Sequence, residues 1–356
     1  MATFRWAVFG TGGIAAKFVA GLAAASDARA VLVASRSTAS AQAFAGAFKI
    51  PRAVAGYDAA ARAGGFDAAY IATPPALHRD HALACLAAGV PVLIEKPFAA
   101  DAHHAAEIVA AARAANVFAM EGMWTRFLPA ARALRDQLAA NVVGEVRQVS
   151  GSLGFPKVVD ATDGDFDPAR GGGAVAHLGV YPLSLGQWLF GTPTQVQATG
   201  RIGGTNVDEE AAMLLTYADG VIARFAASLR TPMSDFTVSG TTGSLALAGS
   251  IFRPHGLAAL RTSPRRRTAP DFGRRARLRE TGAVQRLVQL ADRLGARGSK
   301  VTAYPFTGNG YHYEADEVAR CVAAGLTESP VMPLADSLAV AATVDALRAA
   351  IHGRRA

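Results

Sequence analysis

A short apolar run, 4–9, is broken at once by Gly10-Thr11-Gly12-Gly13-Ile14-Ala15 and followed by an alanine-rich stretch, 16–25. Strand, glycine turn of the form G-x-G-x-x-A, then helix: this order constrains the chain more than any other feature, because it opens a βαβ unit. Gly10 permits the tight turn, Gly12 lets the backbone approach a pyrophosphate, and Ala15 allows close packing of helix on strand. The free N–H groups at the helix start are the expected seat of the pyrophosphate, with Thr11, Gly13 and Ile14 completing the loop.

The unit repeats. A second strand, 30–34, ends in Ser35-Arg36-Ser37, and a helix follows over 40–48. A dinucleotide site selective for NAD would carry an acid there for the ribose diol. An arginine and two hydroxyls suit a 2′-phosphate instead, which Arg36 can pair with in bidentate fashion. NADP is therefore expected over NAD. A strand over 66–73 ends at Thr73-Pro74-Pro75, and His78 opens the next helix, where a water-facing position is expected. Val90 to Ile94 reads as a buried parallel strand that ends in Glu95-Lys96-Pro97. This places an acid and an amine at the carboxyl edge of the sheet, where open α/β sheets bind ligands. A helix over 102–115 and a strand over 117–121 complete a doubly wound parallel sheet.

The pattern changes after Met123-Trp124-Thr125-Arg126-Phe127. A helix over 129–140 leads into strands at 146–153, 194–202, 210–217, 221–228, 235–239 and 244–248, several separated by hairpin signals such as Ala218-Asp219-Gly220. These predict a second α/β domain with a large, mostly antiparallel open sheet. The expected division is 1–122 and 123–356, in keeping with a length beyond what one core usually serves. One helix, 174–190, interrupts the strands after Gly171-Gly172-Gly173. His177 and Tyr181 share a face on it, and Pro182 is expected to kink it or to sit near its start. Two more helices are expected at 311–325 and 334–352.

The formal charge is +8, but its distribution argues against nucleic acid as a partner. Between Arg253 and Lys300 thirteen basic residues face three acids, a net of +10, so the rest of the chain carries −2. The excess belongs to one basic insertion, 253–300, which ends in an amphipathic helix with Val284, Leu287, Val288, Leu290, Ala291 and Leu294 as its apolar stripe. This insertion is read either as a solvated flank or as a lid for an anionic substrate. The two cysteines, Cys85 and Cys321, lack metal or redox spacing. They read as reduced thiols of a cytoplasmic protein, with no secretory signal and no apolar run near the about 20 residues that span a bilayer. The acidic loop 160–167 lacks the spacing of a calcium loop, so no metal is expected.

The glycine turn, Glu95-Lys96-Pro97 and Gly171-Gly172-Gly173-Ala174 with Gly179-Val180-Tyr181 resemble the glucose–fructose oxidoreductase/inositol dehydrogenase/rhizopine catabolism (Gfo/Idh/MocA) family. Glu121-Gly122-Met123-Trp124-Thr125-Arg126-Phe127, 310–318 and 328–333 resemble its subgroup of dimeric trans-dihydrodiol and NADP-dependent D-xylose dehydrogenases. The resemblance implies hydride transfer between NADP and a hydroxyl-bearing carbon of a small polyhydroxylated substrate, and a homodimer or higher homo-oligomer formed through the C-terminal sheet. It implies Lys96 as the active-site lysine and Tyr181 as the acid/base. It also implies that Trp124, Arg126 and Phe155 line the nicotinamide and substrate pocket, with Ser35, Arg36, Ser37, Thr73, Pro74, His78 and Glu95 on the cofactor side. His177 stands where the family usually has Asp, and Pro75 where it often has Asn.

A tyrosine is a poor base near neutrality unless a cation lowers its pKa, and Lys96 is the expected cation. His177 is then expected to relay the proton to solvent or to bind a substrate hydroxyl. Two other readings stay open: a weakly catalytic NADP-binding sensor or scaffold, and a catalyst that shuttles hydride between two sugars without releasing its nucleotide.

Overall fold

The computed structural model describes residues 3–262, 278, 281–293 and 300–353. Its first sheet has six parallel strands in the order β3-β2-β1-β4-β5-β6. In chain order its elements are β1 (Phe4–Phe9), α1 (Gly13–Gly21), β2 (Ala28–Ser35), α2 (Thr38–Phe48), β3 (Arg52–Ala55), α3 (Tyr57–Arg62), β4 (Ala68–Ile71), α4 (His78–Ala87), β5 (Val92–Glu95), α5 (Ala102–Ala115) and β6 (Ala119–Gly122). The strand order reverses between β1 and β4, so the crevice of a doubly wound sheet opens beyond their carboxyl ends. Parallel strands need both faces covered, and β5 obeys: Val92, Leu93 and Ile94 are fully buried. Each such side chain contributes about 1.5–3 kcal/mol. Gly10 (φ 115°) makes the turn after β1, and a Cβ there would lie 2.6 Å from the carbonyl oxygen of Ala72. No residue but glycine fits.

The second sheet has eight strands in the order β14-β13-β12-β11-β7-β10-β9-β8. After α6 (Pro129–Ala139) come β7 (Val146–Gly154), α7 (Val180–Phe190), β8 (Gln195–Ile202), β9 (Asp208–Thr216), β10 (Ile222–Ser228), β11 (Met233–Gly240), β12 (Gly243–Ser250), β13 (Arg253–Arg261), α8 (Gly282–Arg293), β14 (Lys300–Ala303), α9 (His312–Ala323) and α10 (Leu334–His352). All its pairings are antiparallel except β7 with β10. One face forms core: Val149, Met213, Leu215, Ala223, Phe225, Val238, Leu245 and Leu257 are buried. The strand registers place Leu214 and Ile222 on β9 and β10, and Leu260 and Val301 on β13 and β14, on the opposite face as two pairs with three strands between them, 42–57% exposed.

Two expectations are corrected here. The stretch taken as a basic insertion begins and ends as sheet: 253–261 is β13 and 300–303 is β14, paired antiparallel. The strand is hard to read in sequence because its apolar residues, Leu257 and Leu260, do not alternate cleanly with its charges. β3 and α3 were not expected at all; β3 is a four-residue edge strand with half its residues exposed. Arg265–Arg267 and Arg274, Arg275 and Arg277 lie outside the described residues. α8 matches the expected amphipathic helix, and Leu287 on its apolar stripe is exposed.

The helix expected over 174–190 is split. Residues Val175–Gly179 form a π-helical turn, and α7 begins at Val180 with Pro182 in its first turn. Proline has no N–H and crowds the carbonyl four residues back, so the turn before it cannot close as an ordinary α turn. The widened turn carries His177, one turn ahead of Tyr181.

Candidate active site

The carboxyl end of β5 delivers Glu95 and Lys96, and Pro97, joined to Lys96 by a cis bond, turns the chain out of the sheet. The Lys96 ammonium donates to the carbonyl oxygen of His177 at 3.0 Å and lies 5.1 Å from the centre of the Tyr181 ring. The structure therefore brings together Lys96 from the first sheet with His177 and Tyr181 from the helix of the second. Burial raises the Tyr181 pKa, and the Lys96 charge and the Trp124 side chain pull it back down.

Aromatic rings wall this spot. Trp124 stacks on Tyr311 at 4.6 Å, and Phe252 lies 6.2 Å from Tyr181 and 5.6 Å from Phe155. Phe155, 42% exposed, is the outermost of them. Tyr311 and Phe252 were not singled out in the sequence. Tyr311 lay within a motif that carried the resemblance, whereas Phe252 has no local signal and arrives through the β12–β13 hairpin.

His177 has a partner that sequence spacing did not suggest. Its Nδ1 lies 3.3 Å from Oδ1 of Asp165, and Lys157 holds Asp165 and Asp163 at 2.5 and 3.0 Å. The acidic loop thus spends two of its carboxylates on a lysine and a histidine. Burial first, then the charge of Lys96, lowers the His177 pKa to about 4, so the ring is neutral near pH 7. Its Nε2 is buried without a partner among the described residues.

Two expected site residues are placed elsewhere. Arg126 does not line a cofactor pocket. Its side chain has no exposure; it bonds Ser184 through Oγ at 2.9 Å and the carbonyl at 2.7 Å, and pairs with Asp336 at 2.6 Å. It ties the end of the first sheet to α7 and α10. The resemblance placed it at the pocket; a fully buried charge needs a partner, and nothing local in the sequence points to Asp336, 210 positions away. His78 does not face water. It is buried at the start of α4, with Nε2 2.7 Å from the Thr73 carbonyl and Nδ1 3.0 Å from that of Pro97. It braces the Thr73-Pro74 turn against the Lys96-Pro97 turn, and burial lowers its pKa to about 4.

The remaining expected cofactor residues stand at or just beyond the carboxyl ends of β1, β2 and β4, where the strand order reverses. Gly12 precedes α1 with no side-chain cap, and a Cβ at Gly12 or Gly13 would meet nothing within 4 Å. Open space over uncapped N–H groups fits a pyrophosphate. Thr11 and Ile14 flank that opening. Ser35 closes β2, and exposed Ser37 caps α2 by accepting from the Ser40 N–H. Arg36 is exposed beside Tyr57, whose phenol its charge acts on. Thr73 bonds His81 at 3.0 Å, and Pro74 leads into Pro75, whose ring packs against Gly171 at its left-handed φ of 86°. These features fit a bound dinucleotide.

Comparison with known proteins agrees. Residues 4–123 match the oxidoreductase family model with an NAD-binding Rossmann fold, and residues 131–246 match the GFO/IDH/MocA C-terminal domain. The chain belongs to the Gfo/Idh/MocA oxidoreductase family. It is 33% identical to mouse trans-1,2-dihydrobenzene-1,2-diol dehydrogenase over 98% of this chain and 96% of that one. It is 31% identical to the human protein of the same name, with the same coverage. Among solved structures, aldose-aldose oxidoreductase from Caulobacter crescentus superposes with a TM-score of 0.81 at 19% identity, covering 99% of this chain and 98% of that one. A 3-ketoreductase from Actinomadura kijaniata, KijD10, solved with NADP and TDP-benzene, gives 0.80 at 24% identity, with 98% of each chain covered. These structures share the fold of this Gfo/Idh/MocA protein, an oxidoreductase with a nicotinamide-dinucleotide-binding Rossmann domain.

Proposed function

We propose that this Gfo/Idh/MocA protein is an NADP-dependent dehydrogenase that oxidises a hydroxyl-bearing carbon of a sugar or cyclic diol. The observation that carries this is the meeting of the Lys96 ammonium with the Tyr181 ring, 5.1 Å apart, at the mouth of the dinucleotide crevice. Alcohol oxidation removes a hydride and a proton. The bound nicotinamide supplies the hydride acceptor; the protein must handle the proton. Tyr181 takes it from the substrate hydroxyl. Lys96 holds the substrate oxygen and favours the phenolate, offsetting burial that works the other way. The aromatic wall of Trp124, Phe155 and Phe252 gives a ring-shaped substrate an apolar surface and excludes water. His177, kept neutral and oriented by Asp165, presents its free nitrogen on the substrate side.

Arg36 with Ser35 and Ser37 supports NADP over NAD, since a guanidinium on an exposed strand end suits a 2′-phosphate. The solvent-facing apolar residues of the second sheet, Leu214, Ile222, Leu260 and Val301, support a homodimer formed through that face. The relatives' names, dihydrodiol dehydrogenase above all, support the substrate class. The test is reduction of NADP and of NAD by the purified protein over a panel of trans-diols and pyranoses. No turnover with any of them, with either cofactor and in either direction, would leave only a binding protein. Cofactor fluorescence already present in the purified protein would instead favour a nucleotide that does not dissociate.

A further inference from the structure

The proposed chemistry makes no use of Glu314, a carboxyl group in a setting few carboxyl groups occupy. It lies in the first turn of α9 with 0% exposure, and neither oxygen has a hydrogen-bond partner among the described residues. A Cβ added at Gly122 would lie 3.6 Å from its Oε2 and 3.5 Å from the Cα of Glu95. Gly122 is also the register partner of Glu95 across β5 and β6. The Glu314 carboxyl thus lies across one bare glycine from the Glu95 backbone at the carboxyl edge of the first sheet, close enough for the Glu95 charge to act on it.

The two are not equivalent. Glu95 accepts from the Tyr70 hydroxyl at 2.5 Å and from the Lys96 N–H at 3.1 Å; burial raises its pKa, and those two bonds with the charges of Lys96 and Lys17 oppose the rise. Among the described residues Glu314 has neither a hydrogen-bond donor nor a cation acting on it. Burial and the charge of Glu95 both push its pKa well above the usual carboxylate range. Its place in the first helical turn favours a negative charge slightly. Burying an ion without water or partner costs considerably more, so the helix end loses. The phenols that face the pair, Tyr70 from β4 and Tyr311 from the start of α9, are held neutral, chiefly by burial. The charge of Arg253 reaches Tyr311 from β13. Glu121, on the adjacent strand, is another buried acid, raised to about 7.

We infer that Glu314 is kept as a neutral carboxylic acid, which fixes a single negative charge, on Glu95, behind the Lys96–Tyr181 pair. Charge on either glutamate opposes ionisation of Tyr181. With Glu314 neutral, one carboxylate faces the Lys96 ammonium and the cation keeps its hold on the phenol. Glu314 touches no reacting atom; it is a positioning residue that acts through Glu95.

Infrared spectroscopy of the full-length protein labelled with carbon-13 glutamate reads this directly. The carbonyl band of a protonated glutamic acid, separate from carboxylate bands, is expected in the wild type at a pH well above 7, where Glu121 has titrated, and is expected to vanish in Glu314→Gln. No such band in the wild type overturns the inference. A band that persists undiminished in the variant belongs to Glu121 or another acid and overturns it equally. If Glu314→Gln fails to fold, the band's persistence in wild type above the pH at which Glu121 titrates decides the matter. These readings are independent of activity. A second arm rests on the proposed function. The amide matches a neutral acid in size and charge, so the alkaline rise of kcat with pH stays in place in Glu314→Gln. Loss of an ionised Glu314 would move that rise to lower pH, and such a move counts against the inference. Absence of turnover with every alcohol would remove the proposed function while leaving the spectroscopic arm intact.

Discussion

Replacing Lys96 by Met tests the core of the proposed chemistry, because it removes the charge and keeps most of the side-chain volume. The ammonium lies 5.1 Å from the Tyr181 ring centre. Two unit charges at that separation, with an effective dielectric constant of about 20, interact by about 3 kcal/mol. That energy favours the phenolate over the phenol, and losing it lowers the fraction of active base at neutral pH by a few hundredfold. kcat should fall by that factor near pH 7. It should recover part of the loss as pH rises, since Tyr181 can still ionise once the solution is alkaline enough. Binding of NADP, followed by fluorescence quenching or by calorimetry, should change little, because the glycine turn and Arg36 are untouched. A Lys96→Met enzyme with kcat within threefold of wild type and an unmoved pH profile would refute the electrostatic role of Lys96, and with it the pairing on which the function rests.

Three further outcomes follow from the same geometry. Arg36→Asp should raise the KM for NADP at least tenfold and improve use of NAD, as charged hydrogen bonds contribute about 1.5–3 kcal/mol; steady-state kinetics with both cofactors checks this. Asp336→Ala leaves the Arg126 guanidinium buried without its counter-charge, so it should destabilise the fold by about 3–5 kcal/mol while the folded fraction binds NADP normally, read by urea denaturation and cofactor titration. His177 is neutral in the fold, with a pKa of about 4 against 6.5 when free. As pH falls from about 6.5 toward 4 the unfolded chain gains a proton that the folded chain refuses, so stability drops across that window and is complete above it. His177→Gln should flatten that part of the stability–pH curve; an identical acid limb in the variant would contradict a buried neutral ring.

Much of the fold was legible because it is written in short range. The glycine turn after β1 and the full burial of β5 are local patterns, and a doubly wound parallel sheet, with five of its six strands, follows from strand–helix repetition. The antiparallel strands of the second sheet announced themselves through their hairpins, 218–220 between β9 and β10 and 240–243 between β11 and β12. β13 was missed because charge dominated the reading of 253–300, yet only the inward positions of a strand need be apolar, and Leu257 and Ala259 suffice opposite Leu247 and Leu245 of β12. β3 was missed because an edge strand of four residues has too little buried surface to leave a pattern.

The site was legible only where a motif marks it. Lys96 and Tyr181 lie in strings that carry a family resemblance, and the fold brings them together from two sheets. The residues that decide their charge are scattered: Asp165 orients His177 from an acidic loop in which no partner for a histidine was expected, and Glu314 stands 219 positions beyond Glu95. No periodicity links such pairs, since each exists only once β5, β6 and α9 have packed. The same reasoning explains the two misplacements. Arg126 and His78 carry polar groups that look functional in sequence, but each is turned inward: Arg126 is bonded to Asp336 and Ser184, and His78 is set between two carbonyls, to one of which its neutral ring donates. A buried polar side chain whose partners are complete holds the structure together. One whose partners are missing, as at His177 Nε2 or the Glu314 carboxyl, has a requirement that the folded chain alone does not meet. At His177 that requirement points to a bound substrate, and at Glu314 to a proton.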